Sequence, residues 1–404
     1  MTAVLSVDLT DTELFVTGDP HEAWTLLRRE APVCFNPTED GGFWSLTKYA
    51  DVMAAYRDHT TFSSAQGAIL GGSYRSGVDT ASGRMLVAAD PPQHRLLRKR
   101  MQRVFATAMV DRVRAEVRIR IDGALRALVA AGGGDFATDV ALELPRGALM
   151  AMFGIDQDEA MELLGLTRAM IGYRDPAHTG GIENTALRLA AAQADIFDFF
   201  TDLVARRADA PGEDAVSILM SHDPGERPLD EETLLFNLMN LAVGGNETTP
   251  HSASGGLHAL MENPDQWDRL VADPELVPTA VDEVLRWTST NAYVQRVVTK
   301  PVEVRGVALA EGDLVLLWNA SANRDEEKFP QAHRFDVARK PNQHISFGSG
   351  VHHCIGASTA RPELTELLTA LRATGKRLVP AGPPERLRSN FMLGIKHLPV
   401  EVTG

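Results

Sequence analysis

Residues 347–364 read FGSGVHHCIGASTARPEL and hold one of only two cysteines in 404 residues. Cys354 sits among glycines, directly after two histidines, at the mouth of a segment with helical periodicity. A structural zinc site needs three or four ligands at regular spacing, which the adjacent HHC does not offer. A Cys–His nucleophile is compatible with the residue types alone. The glycines, however, suggest a backbone lying close against something flat and bulky. A helix N-terminus also stabilises a thiolate, the form that binds metal. Cys34, in the apolar strand-like run APVCFN, reads instead as a buried structural thiol. Two cysteines cannot make a disulfide framework.

The chain is long enough for a large core, and 44% of its residues are apolar, an ordinary globular composition. No window reaches the roughly 18 apolar residues of a membrane span. The start, MTAVLSVDLTDTELF, lacks basic and apolar leader regions. The expectation is a soluble cytoplasmic protein that binds neither membrane nor nucleic acid, the latter because the net charge is −14. One stretch runs against that charge: HRLLRKRMQR (94–103) is strongly basic, a face suited to an acidic partner.

No repeat or low-complexity linker interrupts the chain. Amphipathic helices are expected over 111–132, 185–208 and 365–375, and short strands over 42–48, 302–318 and the C-terminal FMLGIKHLPVEV. The expected fold is mainly α with a small β region, in a single domain spanning 1–404. The segment PLDEETLLFNLMNLAVGGNETTPHSASGGLHALMENP (228–264) reads as one long helix of roughly 32 residues, ~48 Å, capped by Asp230 and ended at Asn263-Pro264. Its first half is apolar on most sides, yet its centre, GGNETTP (244–250), gathers glycines, Glu247, two threonines and a proline. Violations of local rules concentrated in one place usually mark function.

A thiolate ligand to haem iron accounts for these features together, and here the chain resembles a known family. Phe347, Gly348, Gly350, His352, Cys354 and Gly356 match the haem-binding signature F-G-x-G-x-H-x-C-x-G of the cytochromes P450. DEVLR (282–286) resembles the family's E-x-x-R pair, as Glu283 and Arg286. GGNETT (244–249) is similar to its oxygen-activation motif, and DPPQHRLLRKR (90–100) to its DPPxHxxxR helix. The order and spacing agree over nearly the whole chain.

The resemblance implies a haem-thiolate monooxygenase using haem b and dioxygen, with a long central helix over the haem. Cys354 would be the iron ligand, its thiolate pushing electron density onto the metal. His94, Arg98, Arg296 and His352 match positions that hold the haem propionates, a task suited to charge-assisted hydrogen bonds. Phe347, Gly348 and Gly356 belong to the cofactor-binding loop. Glu283 and Arg286 would form a buried structural pair. Glu247 and Thr248 would be the acid–alcohol pair that delivers protons; Thr248 can also bond the carbonyl of Gly244. Three departures from the family pattern are Pro250, expected to kink the helix by depriving the Asn246 carbonyl of its partner, Pro362 inside the helix after Cys354, and Thr290 in place of a proline.

Electrons are expected from a separate acidic ferredoxin docking at Arg95, Lys99, Arg100 and Arg103. The substrate would be a small molecule or one tethered to a carrier protein. It is chosen by the segments 63–87, 165–185, 289–294 and 389–394, and Asn291, Ala292, Phe391 and Met392 are expected in the pocket. Counting back from Thr248, Gly244, Asn240 and Asn237 fall on one helical stripe and should face it too. Secondary-metabolite tailoring by C–H hydroxylation is the favoured activity, with a sterol or terpenoid hydroxylase as the alternative. A peroxide-driven enzyme and a non-catalytic haem-thiolate docking module are the rivals; the latter has no use for Glu247 and Thr248.

Overall fold

The computed structural model describes residues 7–39, 41–70, 81–178 and 184–404. Parts of two segments expected to choose the substrate, 71–80 and 179–183, lie outside the described residues. The chain is mainly helical, as its periodicity predicts. The helices that shape its centre are α1 (Gln93–Met101), α2 (Thr107–Ala131), α3 (Glu143–Phe153), α4 (Gln157–Ile171), α5 (Thr185–Asp209), α6 (Glu231–Asn246), α7 (Thr248–Glu262), α8 (Val277–Thr288) and α9 (Ala357–Ala373). A five-stranded sheet combines β1 (Val33–Asn36), β2 (Phe43–Leu46), β3 (Phe62–Ser63), β4 (Val294–Val298) and β5 (Leu314–Leu317) in the order β1-β2-β5-β4-β3. Its pairs are antiparallel except β2 with β5, which are parallel with Trp44 opposite Val315. The large apolar core runs through α2, α3, α6, α7 and α9, and a second cluster centred on Trp24 and Trp318 backs the sheet. Among the described residues no helix is long and apolar enough to cross a membrane.

The long helix expected over 228–264 is two helices. α6 starts where the sequence places it, with the Asp230 carboxylate accepting from the Thr233 N–H at 2.9 Å. It stops at Asn246, and α7 begins at Thr248 with Glu247 between them. Pro250 thus lies in the first turn of a new helix, where a missing N–H costs nothing, and not in the interior of an old one. The break is tied down from outside: the Asn246 side chain donates to Thr167 Oγ1 on α4 at 3.1 Å. Thr248 Oγ1 donates to the Gly244 carbonyl at 3.2 Å, giving a partner to one carbonyl at the end of α6. Pro362 is accommodated inside α9, which continues through it to Ala373.

Candidate active site

The α6–α7 junction forms one wall of a large cavity. The opposite wall is the loop 346–356 and the start of α9. Gly348 and Gly350 adopt φ of 64° and 69°, a left-handed conformation that side chains disfavour. Gly350 has a second constraint, since a Cβ there would come within 2.5 Å of the Tyr56 carbonyl oxygen. This doubling back brings the Cys354 N–H onto the Phe347 carbonyl at 2.8 Å and leaves the sulfur presenting surface to the cavity. Burial raises the thiol's pKa, opposed by the backbone N–H groups of Gly356 and Ala357 and by the Arg98 guanidinium. Cys34 does not line this cavity; it is half-buried on β1, and burial pushes its thiol up to about 11.

At one end of the cavity four basic side chains converge. The His94 and His352 rings lie 4.2 Å apart between centroids, with Arg98 and Arg296 lining the same space. Both nitrogens of His94 and Nε2 of His352 are buried with no hydrogen-bond partner. Burial first, and neighbouring cations second, lower the His94 pKa to about 4 and that of His352 to about 2. Burial also lowers that of Arg296. Buried polar atoms without partners are rare, and a cluster of them beside two guanidiniums is a place built for anions. A large cavity lined by a cysteine sulfur and by a cluster of four basic side chains fits a haem.

Glu283 and Arg286 lie on one face of α8, three residues apart and fully buried. Arg286 donates to the Glu283 carboxylate from Nε at 2.8 Å and from a terminal nitrogen at 2.7 Å. The pair does not line the cavity; it connects to the start of the loop that carries Cys354 through Asn323, whose carbonyl accepts from Arg286 and whose side chain bonds Ile345 N–H and Ser346 Oγ.

The remaining expected residues divide. Asn240, Gly244, Thr248 and Asn291 line the cavity, as do Phe347, Gly348 and Gly356. The Asn291 side-chain oxygen is buried and unpartnered. Asn237 does not reach the cavity. Its oxygen accepts from the Leu86 N–H at 3.0 Å and its nitrogen donates to the Arg84 and Thr233 carbonyls, each at 2.7 Å, so backbone groups consume the amide. Ala292 and Met392 are packed in apolar clusters and Phe391 lines a separate pocket with Leu70, Met170 and Arg174. Thr290, the proline departure, bonds Ser252 Oγ at 2.8 Å at the cavity wall. Glu247 is also sent elsewhere. It is buried in a small cavity that Thr248 does not share, and burial raises its pKa to about 7 against the pull of Arg168.

Two features escaped the sequence. Glu363 lines the large cavity from α9, with one carboxyl oxygen unpartnered and its pKa pushed by burial to about 8. It lies one helical turn beyond Thr359, also in the wall, so the stripe running on from Gly356 would have pointed to it. The basic face is largely occupied as well. Lys99 pairs with Glu226 at 2.6 Å, Arg100 sits 3.7 Å from the same carboxylate and bonds the Arg227 carbonyl, and Arg103 lies 3.9 Å from Asp223. Arg95 is the exposed member for which no ion pair is seen among the described residues.

A profile of the family Cytochrome P450 matches residues 42–373. The chain belongs to the cytochrome P450 family. It is 35% identical to putative cytochrome P450 126 of Mycobacterium tuberculosis, over 98% of each chain. It is 33% identical to linalool 8-monooxygenase of Pseudomonas putida, over 97% of this chain and 98% of that one. A solved Mycobacterium marinum cytochrome P450 in complex with pseudoionone superposes with a TM-score of 0.88 at 29% identity, covering 99% and 98% of the two chains. The P450 fold, with its helical body and small sheets, is therefore established for this chain, and its activity is that of a monooxygenase.

Proposed function

We propose that this P450 holds haem b with Cys354 as the iron's thiolate ligand and inserts one oxygen atom of dioxygen into a C–H bond of a branched, mainly apolar molecule carrying a hydroxyl or carbonyl group. The observation that carries this reading is a single cavity with Cys354 on one wall, the unpaired His94 and His352 beside Arg98 and Arg296 at its edge, and Thr248 at the helix break opposite. Haem supplies the reductive activation of dioxygen, aided by electron density from its thiolate. His94, His352, Arg98 and Arg296 bind the propionates. Phe347, Gly348 and Gly356 let the loop lie against the ring. Thr248 holds water at the reacting face, and Glu247 carries protons towards it.

The substrate side of the cavity includes Leu86, Val87, Ala148, Met152, Leu241 and Val294, with Asn240 and Asn291 as polar points. An unpaired buried carbonyl costs about 1–3 kcal/mol, so a substrate hydroxyl donating to Asn291 is stabilised there. Linalool and pseudoionone, named for two relatives, are branched hydrocarbons bearing one oxygen, which favours a terpenoid-type substrate over one tethered to a carrier protein. Tailoring of such a secondary metabolite, in the cytoplasm, is the role this chemistry fits. Replacing Asn291 by Leu should weaken binding of linalool-like alcohols about tenfold, ~1.4 kcal/mol, while sparing the corresponding hydrocarbon. Equal affinities in spectral titrations of the two proteins would remove the polar point.

Electrons come from an acidic ferredoxin on the face of α1. With Lys99, Arg100 and Arg103 already engaged, Arg95 is the residue left to steer the encounter. Arg95→Glu should slow reduction by ferredoxin roughly tenfold at low salt, with the difference shrinking as salt rises. Peroxide-supported turnover should be unchanged. A rate of reduction equal to that of the parent protein would move the docking face elsewhere.

A further inference from the structure

The small cavity that receives Glu247 is also lined by Arg168, His251, Ser254 and Lys396. A Glu247 carboxyl oxygen lies 3.8 Å from His251 Nε2, four residues along α7, and both side chains are 5% exposed. That is an ion-pair distance and not a hydrogen bond, so a proton passes between the two only when the carboxyl group turns towards the ring. The other ring nitrogen, Nδ1, lies 3.2 Å from the Ile395 carbonyl oxygen. A carbonyl cannot donate, so Nδ1 carries a hydrogen. Nε2 is therefore the nitrogen that gains and loses a proton, and it is the one turned towards Glu247.

The ring is held in that pose. A Cβ at Gly394 would come within 2.8 Å of Nε2, so only glycine leaves room for the imidazole there. Glu247 Oε1 and Ser254 Oγ are buried without hydrogen-bond partners. Among the described residues, the cations that line this cavity with the pair are Arg168 on α4 and Lys396 from the strand Ile395–His397. Lys396 is already engaged by Asp175 at 3.0 Å and Glu385 at 2.8 Å. Burial holds Glu247 near neutrality, at about 7, the range in which a carboxyl can both take and give a proton at working pH.

We propose that His251 is a positioning residue that sets the proton state of Glu247: the imidazolium Nε2–H gives its proton to the Glu247 carboxylate, and the Nε2 lone pair then takes the next proton from water. This rests on the reading of Glu247 as the proton carrier to Thr248. The proton lost by the imidazolium is the one gained by the carboxylate, and solvent restores it.

Infrared difference spectra of the ferric holoenzyme across pH test this directly. The carbonyl band of protonated Glu247 is identified by its loss in Glu247→Gln. An imidazolium beside it stabilises the carboxylate, so the band should persist to higher pH, by about one unit, in His251→Phe. His251→Asn keeps a polar group against the Ile395 carbonyl but cannot titrate, and should shift the band as the Phe variant does. In turnover, both His251 variants should divert NADPH electrons to hydrogen peroxide, as Glu247→Gln and Thr248→Ala do more strongly. If His251→Asn titrates and couples like the parent protein, His251 is only a structural contact and the inference fails. If Glu247→Gln itself leaves coupling intact, the underlying proton-carrier reading fails instead. Retention of the reduced carbon monoxide band checks folding, and should the Phe variant lose haem, the Asn variant decides alone.

Discussion

Replacing Cys354 by histidine should abolish the reduced carbon monoxide band of thiolate-ligated haem and bring monooxygenase turnover below detection, while Cys34→Ser should leave both unchanged. The two cysteines differ in everything that decides ligation. Cys354 faces the large cavity at the head of α9, with Gly356 and Ala357 N–H groups and Arg98 drawing its thiol towards the thiolate. Burial alone works against them, and a bound cation reverses that balance, because a coordinating thiol is deprotonated outright. Cys34 lies on β1 with its thiol held protonated by burial, relieved only by Ser45, and does not line the cavity. A Cys354→His protein that kept the thiolate band in a carbon monoxide difference spectrum would end the reading of this cavity.

The loop around Cys354 is legible in sequence because its constraints are local. Gly348 and Gly350 must be glycine for their own backbone conformations, so the pattern records the geometry directly. The helix break is half legible. The cluster GGNETTP announces a disturbance, but whether a proline kinks a helix or starts a new one depends on what holds the chain on either side. Here the partner is Thr167 on α4, 79 residues away. Asn237 shows the same limit more sharply. Its place on the stripe with Thr248 follows from periodicity, yet the groups that claim its amide belong to Arg84 and Leu86, about 150 residues earlier. The basic face is half legible for a related reason: Asp223 and Glu226, which pair with three of its residues, lie 120 or more residues downstream of the arginines and lysine they meet. Separating Glu247 from Thr248 into different cavities required only that consecutive residues point in different directions, which a motif does not report.

Removing the Glu283 carboxylate should cost more stability than removing its nearest partner. Glu283 accepts from Arg286, from Arg339 Nε at 3.1 Å, from the Asn342 amide at 3.1 Å and from the Asp336 N–H at 2.9 Å. Arg286 in turn donates to the carbonyls of Asn323 and Ala332, each at 2.9 Å. The carboxylate thus lies between two buried guanidiniums, Arg286 and Arg339, and the cluster clamps α8 to the segment 323–342. That segment leads straight into the haem loop, where the Asn323 side chain accepts from the Ile345 N–H at 2.8 Å and donates to Ser346 Oγ at 3.0 Å. Glu283→Ala leaves two cations buried with carbonyl partners only, and breaking a buried pair in this way costs about 3–5 kcal/mol. Arg286→Ala leaves Glu283 with Arg339 and its neutral donors, so its cost should fall at the lower end of that range. A loss of that size is a large part of a domain's net stability, so Glu283→Ala should load little haem while Arg286→Ala loads some. Denaturant midpoints and haem content of the two variants check the order. Equal losses would show that the pair stabilises only through its own contact, and not as the centre of a charge cluster that supports the Cys354 loop.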